Sequence, residues 1–495
     1  MSRVIVIGAG LGGLSAAARL SALGHTVTVL EQSDDIGGKL GVLRRGGFTF
    51  DTGPSLLTMP HVLADLFAAT GDPVETVLDL QRLPVACRYR FPDGTILDLP
   101  DEFAAIPAAL DAALGTGRGD QWERFMARAA RIWGITREPV LESPVTIADM
   151  LRMSRRLSDV RDVAPWQSLR RLGASYLDDP RLRQLLDRYA TYTGSDPRRA
   201  PAALAAVPYA EQAYGSWHVA GGLHRVAEAV RDRATERGAE LRLSTPATQI
   251  VTAGGRASGV RLADGTHLPA DVVVAGVDAA QLYGHLVPPS AWTRRTTARL
   301  VRRRSLSGFV LMLALTDVPH EPRPHRVLFT DDYDAEFDAV LGPRAQRRPV
   351  TGPTVYVSSP DDPAMSPDGR SQGWFVLVNA PAHDPAGGMD WDAPGLAETY
   401  ADHVLSTMAA RGLDVRQDIA WREIRTPADL ERATLSGGGA IYGSSSNGAR
   451  SAFLRPSNRS PVPGLFLVGG SSHPGGGLPL VMMSAGIVSG LVGPA

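Results

Sequence analysis

Residues 4–31 read as strand, tight turn, helix, turn and strand, and no other stretch restricts the fold as much. Val4, Ile5, Val6 and Ile7 form a β-branched apolar run suited to a strand buried on both faces. Gly8, Ala9, Gly10, Leu11, Gly12 and Gly13 follow at once. Gly8 permits the sharp turn, Gly10 lets a pyrophosphate approach the backbone, and Gly13 lets helix and strand pack closely. Residues 14–23 are rich in Ala and Leu and predict a helix, with Gly24 placed to end it. Residues 26–30 alternate as a second strand that leads into Glu31. A carboxylate there accepts both ribose hydroxyls of an adenosine and repels a 2′-phosphate. A lone Gly-rich turn is a weak signal. Here strand, turn, helix and acid are in register, so the expectation is a dinucleotide site. The motif alone does not separate FAD from NAD.

A chain of 495 residues has room for two or three domains and a large core. Hydrophobic residues at 44% and charged residues at 21% place it among soluble globular proteins. A net charge of −1 argues against nucleic acid as a partner. The single Cys87 excludes an internal disulfide, and no Cys/His cluster has metal-ligand spacing, so no metal is expected. The chain enters its first strand directly, leaving no room for a cleaved signal, and no apolar stretch is long enough to span a bilayer. The expectation is a cytoplasmic protein that at most rests on a membrane surface.

Gln32 to Lys39 carries a pair of glycines, Gly37 and Gly38, that leaves the backbone open beside the nucleotide, with Lys39 placed to face a phosphate. Phe48, Thr49, Phe50 and Asp51 then read as a strand, and Thr52, Gly53, Pro54 and Ser55 as a turn. Asp51 is read as ordering that turn. With these residues in view the chain resembles the phytoene-desaturase family of carotenoid flavoenzymes, which resemble the wider amine-oxidase-like group in fold. The match fills GxGxxGLxxAxxLxxxGxxVxVxE from Gly8 to Glu31, then Gly37-Gly38-Lys39 and Asp51-Thr52-Gly53-Pro54-Ser55-Leu56. Where Lys39 stands, the amine-oxidase group more often has Arg. Lysine keeps the charge and loses the bidentate fork.

Residues 60–205 are mostly helical in pattern, at 63–69, 104–113, 122–133 and 182–192, and alternation appears only near 88–99, a hairpin around Asp93 and Gly94. Between 149 and 172, Arg152, Arg155, Arg156, Arg161, Arg170 and Arg171 mix with Leu151, Met153, Leu157, Trp166 and Leu169. Such a surface either covers the core as a solvated face or lies on anionic lipid. The family's substrates dissolve in membranes, which favours peripheral membrane contact. Residues 179–194 resemble the branch that desaturates hydroxylated or methoxylated carotenoids at the 3,4 position. Residues 205–285 return to nucleotide-domain character, with Gly221, Gly222 and Leu223 opening a helix and strands at 240–243, 247–250, 259–262, 265–268 and 271–276. By the resemblance, residues near Ala247 flank the adenine. Strands at 306–315, 354–358 and 374–379 and a helix at 395–411 make a second pass through the substrate side, and the Arg-rich run 294–304 reads as an exposed helix. The expected architecture is α/β: a Rossmann-type, glutathione-reductase-like FAD-binding domain from residues 1–70, 205–285 and 431–495. An α+β substrate domain with a helical cap comes from 71–204 and 286–430.

The far end of the chain carries the signal that separates the cofactors. Residues 464–470 read as a turn and buried strand, and Ser471, Ser472, His473, Pro474, Gly475, Gly476 and Gly477 as a Gly-rich loop. Leu478 and Pro479 open a helix that runs to about Leu491, with Pro at a first-turn position. This resembles the family's closing HPGxGxP motif, where a helix N-terminus points its partial positive charge at the flavin. Residues 440–443 and 453–459 also match. The resemblance implies FAD, with contacts from Gly8, Gly10, Leu11, Gly12, Gly13, Glu31, Gln32, Gly38, Lys39, Gly53, Pro54, Ser55, Ala247, Gly469, Gly470, Gly477, Leu478 and Pro479. It also implies an apolar isoprenoid polyene as substrate, with hydride moving from an allylic C–H to flavin N5 and a proton leaving the neighbouring carbon. His473 is the one candidate for assisting proton loss, against a reading as a loop histidine that fixes backbone. No pattern identifies the electron acceptor. Three alternatives stand beside desaturation: an amine-oxidase-like flavin oxidase, a polyene cis–trans isomerase, and a non-catalytic isoprenoid-binding protein.

Overall fold

The structure, a computed structural model, describes residues 1–144, 156–316, 318, 323–448 and 455–495. Leu151, Arg152, Met153 and Arg155 of the basic stretch, and Phe453 and Leu454 of the C-terminal match, lie outside the described residues. Strand Arg3–Ile7 is the middle of a five-stranded parallel sheet ordered Glu240–Arg242, Thr26–Leu30, Arg3–Ile7, Val272–Ala275, Leu465–Leu467. Its two-residue period sorts the side chains. Val4 and Val6 share a core with Leu14 and Leu20 of helix Leu11–Ala22 and with Met482 and Val488 of helix Leu478–Val492. Ile5 and Ile7 face the other way, toward Ile250, Val260 and Leu262 of the antiparallel sheet Ala247–Ala253, Arg256–Leu262, His267–Pro269. Both faces are covered, which is why the strand is apolar throughout.

A second sheet of seven strands is ordered Ile419–Arg425, Ser307–Leu315, Gln372–Ala380, Val355–Ser358, His325–Leu328, Val85–Arg90, Ile96–Pro100. Its pairs are antiparallel except His325–Leu328 with Val85–Arg90. Strand Ser307–Leu315 is buried at every position. Phe309, Leu311 and Leu313 pack with Trp391 and with Tyr400 of helix Leu396–Ala410. Val310, Met312 and Ala314, on the opposite face, pack with Phe48 and Phe50. Helices Ile106–Leu114, Arg118–Thr136, Pro180–Arg188 and Ala206–Tyr214 join the main core through residues such as Leu110, Phe125, Leu185 and Ala210.

The structure adds elements that periodicity did not predict. Strand Leu80–Arg82 lies in the region read as helical outside its hairpin. It has three residues, too few to show a period, and exists by pairing with Ser216–Val219. Ile419–Arg425 carries three charges in seven residues because it is an edge strand, paired on one side only. His325–Leu328 is a four-residue interior strand whose His and Arg are both buried. Among the described residues no helix is long and apolar enough to cross a membrane.

Candidate active site

The two ends of the chain meet at one seam. The Gly-rich turn after Arg3–Ile7 starts helix Leu11–Ala22, and the loop after Leu465–Leu467 starts helix Leu478–Val492. A Cβ on Gly12 would lie 2.9 Å from Gly469 Cα, and one on Gly13 would lie 2.1 Å from the Gly8 carbonyl oxygen, so neither position has room for a side chain. Neither helix has a side-chain cap at its N-terminus. Their first N–H groups are therefore open, and both termini carry partial positive charge.

Both termini open on a single cavity of about 1300 Å³. Its nucleotide side is lined by Gly8, Gly10, Leu11, Gly12, Glu31, Gln32, Gly38, Lys39, Gly53, Pro54, Ser55, Ala247, Gly469, Gly470, Gly477, Leu478 and Pro479. Its other side is largely apolar, with Leu306, Val310, Phe375 and Leu377 at the seven-stranded sheet and Val140, Leu141, Leu204 and Val207 from the helical side. Sites for drug-sized ligands usually measure about 300–1,000 Å³. This one has room for a dinucleotide and an elongated apolar molecule together. The bare glycine backbone, two uncapped helix starts and a carboxylate on the adjoining strand end fit a flavin dinucleotide.

Two expected contacts do not line the cavity. Gly13 packs its helix against the preceding strand. His473 is 5% exposed, its Nε2 meets the Ser143 carbonyl oxygen at 3.1 Å, and burial pushes its pKa down to about 4. Its N–H donates to Pro456 O, and its own carbonyl accepts from Asn458 Nδ2 at 2.8 Å. Pro474 and Gly475 line the cavity and His473 is not among its lining residues, an arrangement that favours the loop histidine that fixes backbone over one that assists proton loss.

Glu31 and Lys39 line the cavity while also tying its walls together. Glu31 Oε2 accepts from Ala9 N–H at 2.6 Å, and Oε1 accepts from the N–H and hydroxyl of Ser33 at 3.0 and 2.9 Å. A carboxylate has about four lone-pair sites, so acceptor capacity remains for ribose hydroxyls. Lys39 was expected to face a phosphate. Its Nζ donates to the carbonyls of Ala440 and Ile441 at 2.7 and 2.8 Å, clamping a distant segment and leaving one of its three N–H donors. Burial pushes its pKa down to about 8, opposed by the Asp278 carboxylate. Asp51 accepts from the N–H groups of Leu223 and His224, each at 2.8 Å, and so caps helix His224–Glu236.

Sequence reasoning missed Arg455. Its Nη1 donates to the carbonyls of Tyr442 and Gly470 at 2.9 and 3.0 Å, and its Nη2 to that of Ser444 at 2.9 Å. Burial pushes its pKa down to about 10, again opposed by Asp278. Lys39 and Arg455 thus put two half-buried cations beside the second glycine loop. A hydrogen-bonded chain, Ser55 Oγ to Tyr356 OH at 2.7 Å and Tyr356 OH to His325 Nδ1 at 2.8 Å, was also missed. Burial holds His325 neutral, its pKa pushed down to about 3.

Residues 11–492 match the family of flavin containing amine oxidoreductases. The 4,4'-diapolycopene oxygenase of a Methylomonas species is 34% identical over 98% of this chain and 97% of its own length. The 1-hydroxycarotenoid 3,4-desaturase of a Flavobacterium species is 30% identical over 99% of each chain. A triple mutant of putrescine oxidase superposes with a TM-score of 0.65 over 99% of this chain and 98% of that one, at 14% identity, a likeness of fold. A family match that begins inside the first glycine turn and ends in the last helix spans both halves of the cavity wall, and so the chain belongs to the flavin containing amine oxidoreductases and is an FAD-dependent oxidoreductase.

Proposed function

We propose that this enzyme desaturates a long isoprenoid polyene of the carotenoid class, removing a hydride from an allylic C–H and a proton from the adjacent carbon. The observation that carries this reading is the continuity of one cavity from the paired glycine turns to an apolar wall. The names of the two curated relatives, a carotenoid desaturase and a diapolycopene oxygenase, support it. Bound FAD would supply the hydride acceptor. Gly10 and Gly12, the start of helix Leu478–Val492, and Glu31 would hold it.

The chain's own residues do the rest. Leu306, Val310, Phe375 and Leu377 bury the hydrocarbon and keep water from it. Lys39 and Arg455, with the open N-terminus of helix Leu478–Val492, set a positive potential on the cofactor side. The carbon that loses the proton is acidified by cationic charge delocalised along the polyene, so a strong base is not required. Delivery of such a substrate favours peripheral membrane contact. The exposed Leu157 and Trp166, among Arg156, Arg161 and Arg171, form the surface we assign to it.

The oxygenase relative favours a second reading, insertion of oxygen into the same class of substrate. One experiment separates them. Purified holoenzyme is incubated with a panel of acyclic carotenoids in liposomes, and the pigments are analysed by mass spectrometry. Desaturation removes two hydrogens and oxygenation adds oxygen. An unchanged mass with altered retention would mean isomerisation. A panel in which no polyene binds or changes overturns the proposal.

A further inference from the structure

The apolar half of the cavity contains a polar island. Arg188, the last residue of helix Pro180–Arg188, is 8% exposed, and Glu211, on helix Ala206–Tyr214, is 6% exposed. Both line the cavity. The Arg188 guanidinium carbon lies 5.5, 5.1 and 6.0 Å from the ring centroids of Tyr89, Tyr192 and Tyr356. Its Nη1 donates to the Tyr89 hydroxyl at 3.3 Å, a long bond for a group with five N–H donors. Glu211 Oε1 accepts from the Tyr189 hydroxyl at 2.8 Å, whereas Oε2, on a carboxylate that also has the Tyr192 hydroxyl beside it, is buried without a hydrogen bond of good geometry among the described residues.

The carboxylate is held in place from behind. Trp122 Nε1–H donates to Gln212 Oε1 at 3.0 Å, and Gln212 Nε2 donates to the same Tyr189 hydroxyl at 3.4 Å. The island also adjoins the cofactor side, because Tyr356, against which the Arg188 guanidinium sits, bonds Ser55 of the Gly53-Pro54-Ser55 turn. Tyrosine faces compensate the cation in part. An open guanidinium and an orphan carboxylate oxygen are nonetheless costly to keep in a water-poor wall, where apolar residues would pack at less cost. A ligand atom that accepts from one and donates to the other removes both costs. A hydroxyl does this. A methyl ether only accepts, and a hydrocarbon does neither.

We propose that Arg188 and Glu211 are specificity-determining residues of this cavity and together read a hydroxyl group on an otherwise apolar polyene. This assignment rests on the polyene reading given above. Sites built to bond a substrate hydroxyl reject the analogue that lacks it, since their own polar groups are then left unpaired.

The test uses the holoenzyme and three matched ligands in micelles: an acyclic carotenoid alcohol, its methyl ether and the parent hydrocarbon. Binding is read from the shift of polyene absorbance and the change in flavin fluorescence, and kcat/KM is measured for each. The alcohol should bind at least about tenfold more tightly than the hydrocarbon. Glu211→Gln keeps the shape and replaces an acceptor with a donor, so it should move preference from the alcohol toward the methyl ether. Arg188→Met should lower the alcohol-to-hydrocarbon ratio about tenfold. Flavin content and melting temperature show whether each variant has folded, and Glu211→Gln alone decides the matter if Arg188→Met has not. Equal binding of all three ligands by the wild type, or a uniform loss for all three in Glu211→Gln, overturns the assignment alone. Absence of any polyene binding overturns the assignment together with the polyene reading.

Discussion

Gly10, Gly12 and Gly13 sit on one turn, yet alanine at each should fail in a different way. Gly10 has φ −67° and ψ 164°, ordinary for any L-residue. The nearest atom to an added Cβ there is Gly37 O, at 3.8 Å, an ordinary contact. Gly10→Ala should therefore leave the apoprotein's melting temperature within about 2 °C of wild type. Its methyl would stand where a pyrophosphate must approach the backbone, and FAD affinity should fall about tenfold or more, roughly 1.4 kcal/mol. At Gly13 the added carbon would lie 2.1 Å from a main-chain carbonyl oxygen that cannot rotate away. Overpacking of this kind costs about 1–3 kcal/mol, so Gly13→Ala should destabilise the apoprotein. Gly12→Ala presses on Gly469 Cα at 2.9 Å across the seam and should reduce both stability and affinity. Flavin-stripped variants are melted and then titrated with FAD by fluorescence quenching. If Gly10→Ala melts as low as Gly13→Ala and binds FAD as tightly as wild type, Gly10 does not face the cofactor.

Three further outcomes are expected. Lys39 has a folded pKa near 8 against 10.5 when free, so between those values the unfolded chain binds more protons and stability rises with pH. The gap is worth about 3 kcal/mol. The apoprotein should gain on its Lys39→Met variant in urea midpoint from pH 8 to 10, and a pH-independent difference would refute a buried ammonium. Asp51→Ala removes both N–H contacts at the start of helix His224–Glu236. It should cost about 1–2 kcal/mol, seen as a lower urea midpoint with faster amide exchange at the start of that helix. Leu157 is 85% exposed and Trp166 61%, and a Leu157→Glu, Trp166→Ala double variant should sediment less with anionic liposomes at unchanged flavin content. Undiminished sedimentation would remove that surface as the membrane contact.

The parts of the fold that could be read from the chain are those whose cause is local. Val4 to Ile7 are apolar because both faces of the strand are covered, and Gly12 and Gly13 are glycine because main-chain atoms lie within 2.9 and 2.1 Å of where a Cβ would be. Such constraints leave a mark at the residue itself. His473 shows where this stops. It stands next to a cavity-lining loop in sequence, but the ring is anchored on Ser143, 330 residues away, and sequence adjacency does not set side-chain direction. Arg188 and Arg455 were illegible for a related reason. Arginine is usually exposed, and nothing in the neighbouring letters distinguishes one that the fold buries. Ile419–Arg425 became a strand only because Ser307–Leu315 offered it a partner.

The placement of buried charge bears on the choice between catalysis and passive carriage. A protein that only carried an isoprenoid would gain from an apolar cavity throughout, since each buried charge is a cost that hydrocarbon cannot offset. Here Lys39 and Arg455 are both half-buried and both direct hydrogen bonds to carbonyls of residues 440–444 and 470, and Asp278 is the acid set against the pair. The balance beside the second glycine loop is positive, and the open N-terminus of helix Leu478–Val492 adds to it. That potential favours a bound group that gains negative charge during turnover, as an electron-accepting cofactor does, and offers nothing to a neutral polyene. Lys39 and Arg455 lie on the glycine-lined side, and the wall opposite is mostly aliphatic, broken by Arg188 and Glu211, so the cavity has a redox half and a mostly hydrocarbon half, the division that a dehydrogenation needs and storage does not.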